Sequence, residues 1–291
     1  MSAKITLAQM NTLRHYFFIV LGFFLVFFAT SCEEEMKDFE IESAQELLVI
    51  DAECNAMNNS ITVRLSKTVD FLGNEQNQPV QGATITLRYN SSKQPLSEQS
   101  GGLYVAYTIF PEETTYELTV EVEGKTYVAT SYMPRKVAFT NITYEKITEN
   151  PYFPSIQYGD TTYNVTLSFL DPPNEENFYR LIILRNDTLT RRNDLTVIND
   201  QYFTADTIQY SPWQNFYEND ILTFELRSID RAAYRFYTTM QAAMETGGAF
   251  SVPDNPQSNF SGGALGHFTA FSGDRRILHI VPIRTEDDEY L

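Results

Sequence analysis

The chain is 291 residues long and sets 38 Asp and Glu against 21 Lys and Arg, a formal charge of −17. That balance leaves no place for nucleic acid as a partner, because binding phosphate needs clustered cations. Two cysteines cannot build a disulfide framework, and the length is ample for a buried core and suits two domains.

Taken in order, the first informative stretch is Tyr16–Glu35, YFFIVLGFFLVFFATSCEEE. Arg14 gives a positive flank, and Phe17–Ala29 is an apolar run with one glycine. At ~1.5 Å per residue it covers about 20 Å, short of the ~30 Å that a membrane-spanning helix must cross. The pattern predicts a signal peptide over residues 1–31, with Met10 as a start for a shorter version. Small residues Ala29, Thr30 and Ser31 before Cys32 resemble the bacterial lipobox, which implies acylation at Cys32. Ala29 stands where leucine is usual, a looseness that resembles the lipoproteins of Bacteroidota. The plainer alternative is a secreted protein cut near Ser31. Two or more acyl chains hold a protein firmly, at ~0.8 kcal/mol per buried CH₂.

Glu33, Glu34 and Glu35 follow at once, and residues 32–45 read as an acidic tether. The acidic run resembles the surface-export signal of Bacteroidota lipoproteins, which implies the outer membrane with the protein facing the exterior; otherwise it is a solvated linker. Removing Lys4 and Arg14 with the leader leaves 19 basic against 38 acidic residues, a balance of −19. Only Cys54 then remains beside Cys32.

From Glu46 short alternating runs predict strands. Ile61, Val63 and Leu65 alternate with Thr62 and Arg64; Ile85, Leu87 and Tyr89 alternate next; Tyr116, Leu118, Val120 and Val122 lead into Glu123-Gly124, a two-residue hairpin loop. Pro79–Ala83 and Gly101-Gly102 mark turns. Residues 46–134 are therefore expected to form a β-sandwich, and PVQGATITL resembles immunoglobulin-like modules of Bacteroidota surface proteins, which implies a spacing or docking role. Tyr132–Arg135 reads as a boundary. Residues 135–291 are expected to form a second antiparallel β-sandwich or barrel-like domain. Its strands are seen in Tyr163–Phe169, Phe178–Leu184 and Leu222–Leu226, and Asp171-Pro172-Pro173-Asn174 forces a turn.

One helix is expected at about 230–246. Asp230 caps it, Ala233, Tyr237, Met240 and Met244 form its apolar stripe, and Gly247-Gly248 stop it. Asn255–Ser272, NPQSNFSGGALGHFTAFS, is a glycine-rich loop entering a strand at Leu265. It lacks the GK[ST] ending of a phosphate loop. Gly273-Asp274 reads as a turn into a closing strand Ile277–Val281, and residues 286–289 as a solvated acidic tail.

Chemistry-bearing patterns are sparse. His267 and His279 lie in no HExxH and near no CxxC, no GxSxG elbow is present, and Cys54 has no histidine near in sequence, so neither an enzyme nor a metal or other cofactor is expected. A hydrolase would need a paired carboxylate, which sequence spacing does not reveal. For binding, Trp213, Phe216 and Tyr217 cluster in SPWQNFYEND, where exposed aromatics grip a receptor or stack on a sugar and buried ones anchor the loop. His267 beside Phe268 offers an imidazole that could ligate haem or a metal, or is structural, which is the commoner role of a lone histidine entering a strand. Thr161, Thr188 and Thr207, in Asp-Thr-Thr, Asp-Thr-Leu and Asp-Thr-Ile, resemble a short Bacteroidota O-glycosylation motif.

The export signal, LVIDAE, PVQGATITL, GKTYVATSYMP, LDPPNEENFYR, ELRSIDRAAYRFY and NPQSNFSGGALGHF, in that order, resemble a Bacteroidota lipoprotein family known as the domain of unknown function numbered forty-two forty-nine. The resemblance covers nearly all of the chain after the leader. It implies an accessory to a TonB-dependent outer-membrane receptor in nutrient capture, and carries over no catalytic residue. The alternative is an independent surface protein that binds a glycan or other small ligand.

Overall fold

Alternating apolar residues fix which side of each strand is dry, and the computed structural model places these sides against one another. It describes residues 46–68, 78–147, 162–189, 195–203, 206–245 and 255–283. The leader, Cys32, Glu33–Glu35, the tether, Thr161, Gly247-Gly248 and the acidic tail lie outside the described residues.

Seven of the nine strands up to Met133 are β1 (Leu48–Asn55), β2 (Ser60–Lys67), β3 (Thr84–Tyr89), β4 (Ser92–Pro95), β5 (Leu103–Tyr107), β6 (Thr114–Val122) and β7 (Lys125–Met133), the other two being the two-residue strands Gln78–Pro79 and Ser97–Glu98. They make two sheets, one with β1 between β2 and a later strand, and one in the order β4-β3-β6-β7. Between the sheets Ile50, Ala52, Cys54, Ile61, Val63, Leu65, Leu87, Tyr104, Tyr116 and Leu118 form a dry core. Burial pushes the Cys54 thiol up, so it packs as a neutral apolar group. The β6–β7 hairpin turns at Glu123 (φ 51°) and Gly124 (φ 74°), the left-handed pair that matches strand twist.

The second half adds β8 (Phe139–Ile147), β9 (Thr162–Leu170), β10 (Phe178–Arg185), β11 (Thr207–Tyr210) and β12 (Ile221–Ile229). Strands β8, β9 and β11 form one sheet, while β10 and β12 pair antiparallel in another. Their core holds Tyr163, Val165, Leu167, Phe169, Leu181, Ile183, Phe224 and Leu226. Each Leu or Phe so enclosed contributes about 1.5–3 kcal/mol. The protein is thus mainly β, with sheets packed face to face and a single helix among the described residues.

That helix, α1 (Arg231–Glu245), begins where Asp230 accepts the Ala233 N–H at 2.8 Å. It buries Ala233 and Tyr237, while Met240 is half-buried and Met244 exposed, so the stripe packs only along its first half.

The last strand, β13 (Leu265–His279), is 15 residues long and belongs to both halves. Residues 265–271 pair parallel with β1, and residues 272–279 pair antiparallel with β12, which joins the two sheets into one of ten strands. The turn expected at Gly273-Asp274 is absent: the strand runs straight through. A Cβ at Gly273 would lie 2.3 Å from the Leu226 carbonyl oxygen, so glycine serves close strand approach there, not a change of direction. Gly266, at φ 90°, does the same against β1, where a Cβ would meet the Ile50 oxygen at 2.1 Å.

Candidate ligand cleft and the polar layer under the helix

Period-two alternation along β13 gives its faces opposite characters. Phe268 and Ala270 point into the first core and Leu278 packs on the second. On the opposite face stand His267, Thr269, Phe271, Gly273 and Arg275, partly roofed by α1. Neighbouring strands add charge to this face. Arg227 on β12 donates from Nη2 to Glu225 Oε2 at 2.9 Å and from Nη1 to Glu53 Oε1 on β1 at 3.1 Å. Arg275 donates to the other Glu225 oxygen at 2.9 and 2.5 Å. Arg180 on β10 lies 3.8 Å from Glu53 and 4.0 Å above the Tyr237 ring, and Arg227 lies 4.2 Å above Phe271.

Burial alone would discharge these groups, but their partners outweigh it. Glu53 and Glu225 hold the Arg227 guanidinium above its ordinary range, and Arg227 and Arg275 hold the Glu225 carboxyl below the usual carboxylate range. Arg227 and Glu225 therefore stay charged at neutral pH.

His267 is only 4% exposed and stacks on Phe236 of α1 at 4.7 Å with the rings 13° apart. Neither ring nitrogen has a hydrogen-bond partner among the described residues, and burial pushes the imidazole down to about 3. It is a neutral packing group, enclosed rather than offered to a ligand. The motif before it is structural as well. Asn259 donates to the Phe268 and Thr130 carbonyls and accepts the Phe268 N–H, and Ser261 accepts the Val128 N–H, so the glycine-rich loop is laced to the edge of β7.

The aromatic cluster of the loop after β11 is divided by the fold. Phe216 is fully buried against Phe224, an anchor rather than a surface contact. Tyr217 is half-buried with the Arg185 guanidinium 4.8 Å from its ring, and Trp213 is 87% exposed. Thr188 and Thr207 are exposed at strand ends.

Between the halves the connecting segment is stitched to β12, β13 and α1. Ser131 on β7 donates to Asp230 Oδ2 at 2.8 Å and accepts the Ala270 N–H, while the Tyr132 N–H joins the same carboxylate oxygen. Ser272 donates to the Pro134 carbonyl at 2.7 Å, and Asp274 accepts the Phe139 N–H at 3.2 Å. Beside this seam opens a cleft of about 430 Å³ lined by Ala56, Met57, Asn58, Glu112, Lys136, Gly273 and Arg275. Ligand sites favour such domain junctions and such volumes. Its walls come from the β1–β2 turn, the segment before β6, the connecting segment and β13. Glu112 accepts the Lys136 backbone N–H at 2.9 Å, which fixes one wall to the other.

Sequence reading did not single out Lys136, Arg275 or the charged layer, since their partners are 50 to 174 residues apart along the chain or belong to a strand whose course was misread. The one available signal was charge in strands that should be apolar on both sides: Glu225 and Arg227 interrupt ILTFELRSI.

Fold and site together define a double β-sandwich protein whose halves share one strand and enclose a polar cleft at their seam. The chain belongs to the family described as Domain of unknown function (DUF4249), whose model matches residues 34–277. No curated protein matches it. Among solved structures it is similar to a chain of a "Cytokine receptor complex - Crystal form 1A", with 11% identity and a TM-score of 0.27 over 82% of this chain and 98% of that one. A likeness that low bears on neither fold details nor function. No helix among the described residues is long and apolar enough to cross a membrane.

Proposed function

We propose that the chain is a lipid-anchored protein of the bacterial outer membrane that faces the exterior and serves, without catalysis of its own, as an accessory to a TonB-dependent receptor in nutrient capture. The lipobox-like Ala29-Thr30-Ser31-Cys32 and the acidic run after it support the anchor and the address. The observation that carries the accessory role is the stitched seam. Ser131, Asp230, Ser272 and Asp274 make the two sandwiches a stiff body, and a stiff body on an acylated tether presents a fixed surface to a membrane-embedded partner. The N-terminal sandwich spaces or docks, and the C-terminal half engages.

The test is an affinity pull-down of natively acylated protein from gently solubilised outer membranes. A TonB-dependent receptor recovered in stoichiometric amount supports the reading, and a lone lipoprotein defeats it. Cys32→Ala tests the anchor separately and should release the protein from membranes. A second reading, independent glycan binding, is favoured by the 87% exposure of Trp213, since exposed indoles stack well on sugar rings. Loss of glycan binding in Trp213→Ala would support it.

A further inference from the structure

The cleft at the seam has a chemical bias that the chain as a whole lacks. In a protein of charge −17, two of its three charged lining side chains are cations, Lys136 and Arg275, each ion-paired yet with 46% and 55% of its side chain exposed. Each meets a carboxylate that is already held by another arginine. Lys136 Nζ lies 3.4 Å from Asp274 Oδ1, while Arg276 takes Asp274 Oδ2 at 2.8 Å. Arg275 binds Glu225, which Arg227 grips through its other oxygen. Both carboxylates are thus satisfied without the cleft cations' full charge, and an anion entering the cleft meets two partly uncompensated donors.

The opposite wall asks for something else. Glu112 lines the cleft as a carboxylate, and one of its oxygens accepts the Lys136 N–H. It favours a ligand atom that donates. Met57 and Ala56 supply an apolar floor from the β1–β2 turn.

We infer that this cleft binds a small ligand carrying a carboxylate for Lys136 and Arg275 and, a few atoms away, a hydroxyl or ammonium donor for Glu112. Sugar acids and free or peptide-borne amino-acid carboxylates share that chemistry. The inference goes beyond the receptor reading and does not depend on it, since it concerns the isolated body.

The experiment uses the full-length acylated protein in mild detergent at low salt, and titrates two matched pairs by calorimetry: galacturonate against galactose, and triglycine against triglycinamide. Within at least one pair, the acid should bind at least about tenfold more tightly than the counterpart that lacks the carboxylate, the factor expected for one charge-assisted contact. That pair also identifies which source of carboxylate the cleft takes. Lys136→Gln and Arg275→Gln should each weaken the preferred acid by a similar factor, whereas Lys125→Gln, an exposed cation on the distant β6–β7 hairpin, should leave it unchanged. Arg275→Gln also touches Glu225, so its melting temperature is recorded; Lys136→Gln, at an exposed side chain, carries the test if Arg275→Gln is unstable. Equal binding of the acid and its counterpart without the carboxylate in both pairs, or binding indifferent to Lys136→Gln, overturns the inference.

Discussion

The two faces of β13 solve opposite problems with one backbone. Its inner face packs Phe268 and Ala270 on one dry core and Leu278 on the other, and at those three positions any residue of suitable volume serves. Its outer face carries a charged layer in which each group depends on named partners: Arg227 on Glu225 and Glu53, Arg275 on Glu225. A dry face tolerates change by repacking, whereas a charged one fails when one partner is removed, because the other is left buried and unpaired. Both faces need a backbone that lets three strands lie close, and this sets the order of expected effects.

The largest effect should come from the backbone itself. Gly266→Ala places a Cβ 2.1 Å from the Ile50 oxygen at a residue with φ 90°, so steric overlap and backbone strain add. A loss of about 4 kcal/mol or more is expected, read by chemical denaturation, with both sandwiches affected because β13 belongs to both. An Ala variant as stable as wild type would mean that β1 and β13 do not pair as described.

Next comes the charged layer. Arg227→Met keeps volume but leaves Glu225 with Arg275 alone and Glu53 with Arg180 alone, and should cost about 2–3 kcal/mol at pH 7. The Glu225 carboxyl is held below its usual range, so its contribution is present above the unfolded value near 4.5 and is lost as pH falls through the lower folded value. Wild type and Arg227→Met should therefore converge in stability as pH falls below 4.5 through the lower folded value of Glu225. An inner-face change of similar volume, Ala270→Gly, should show no such pH term.

Much of this comparison was legible in the chain, and what was not has a physical cause. Alternation marks the strands because one side of each is dry, and Asp230 before Ala233 and Tyr237 announces a capped helix. The hairpin at Glu123-Gly124 is equally local. Gly273 was misread because a glycine in a turn and a glycine under a close neighbouring strand look alike until the neighbour is known. The cleft was invisible for the same reason: Asn58, Glu112, Lys136 and Arg275 are brought together by a strand shared between halves, and no spacing along the chain encodes that. Phe216 and Trp213 stand three residues apart and look equivalent, yet the short pairing of Phe216–Tyr217 with β9 turns one inward and leaves the other in solvent.

The seam sits between the two faces, and its key residue acts locally and at long range. Asp230→Ala removes the cap of α1 and the acceptor for Ser131 and Tyr132. About 1 kcal/mol is expected for the cap and a further ~1 kcal/mol for the stranded donors. Asp230→Asn can restore the cap but accepts more weakly from Ser131, so it should recover roughly half of the loss. Equal stability of wild type and Asp230→Ala would mean that the halves do not rely on this node.

The smallest effect, and the sharpest contrast with Arg227, belongs to His267. It shares the outer face but has no partner to strand, since neither ring nitrogen is hydrogen-bonded among the described residues. His267→Phe keeps the stack on Phe236 and removes two unsatisfied buried polar atoms, so stability at pH 7 should change by no more than about 1 kcal/mol, in either direction. The distinguishing readout is pH. The imidazole's folded value of about 3 lies below its unfolded value near 6.5, so its contribution is complete above pH 6.5 and is lost as pH falls toward 3, at up to ~1.4 kcal/mol per pH unit. Asp51, its neighbour on β1, is pushed up by its crowded surroundings and by Glu53 and contributes with opposite sign, but wild type and variant share it, so their difference isolates the histidine. His267→Phe should therefore be the more stable protein at pH 5, and an unchanged difference between pH 7 and pH 5 would mean that the ring is solvated, not enclosed.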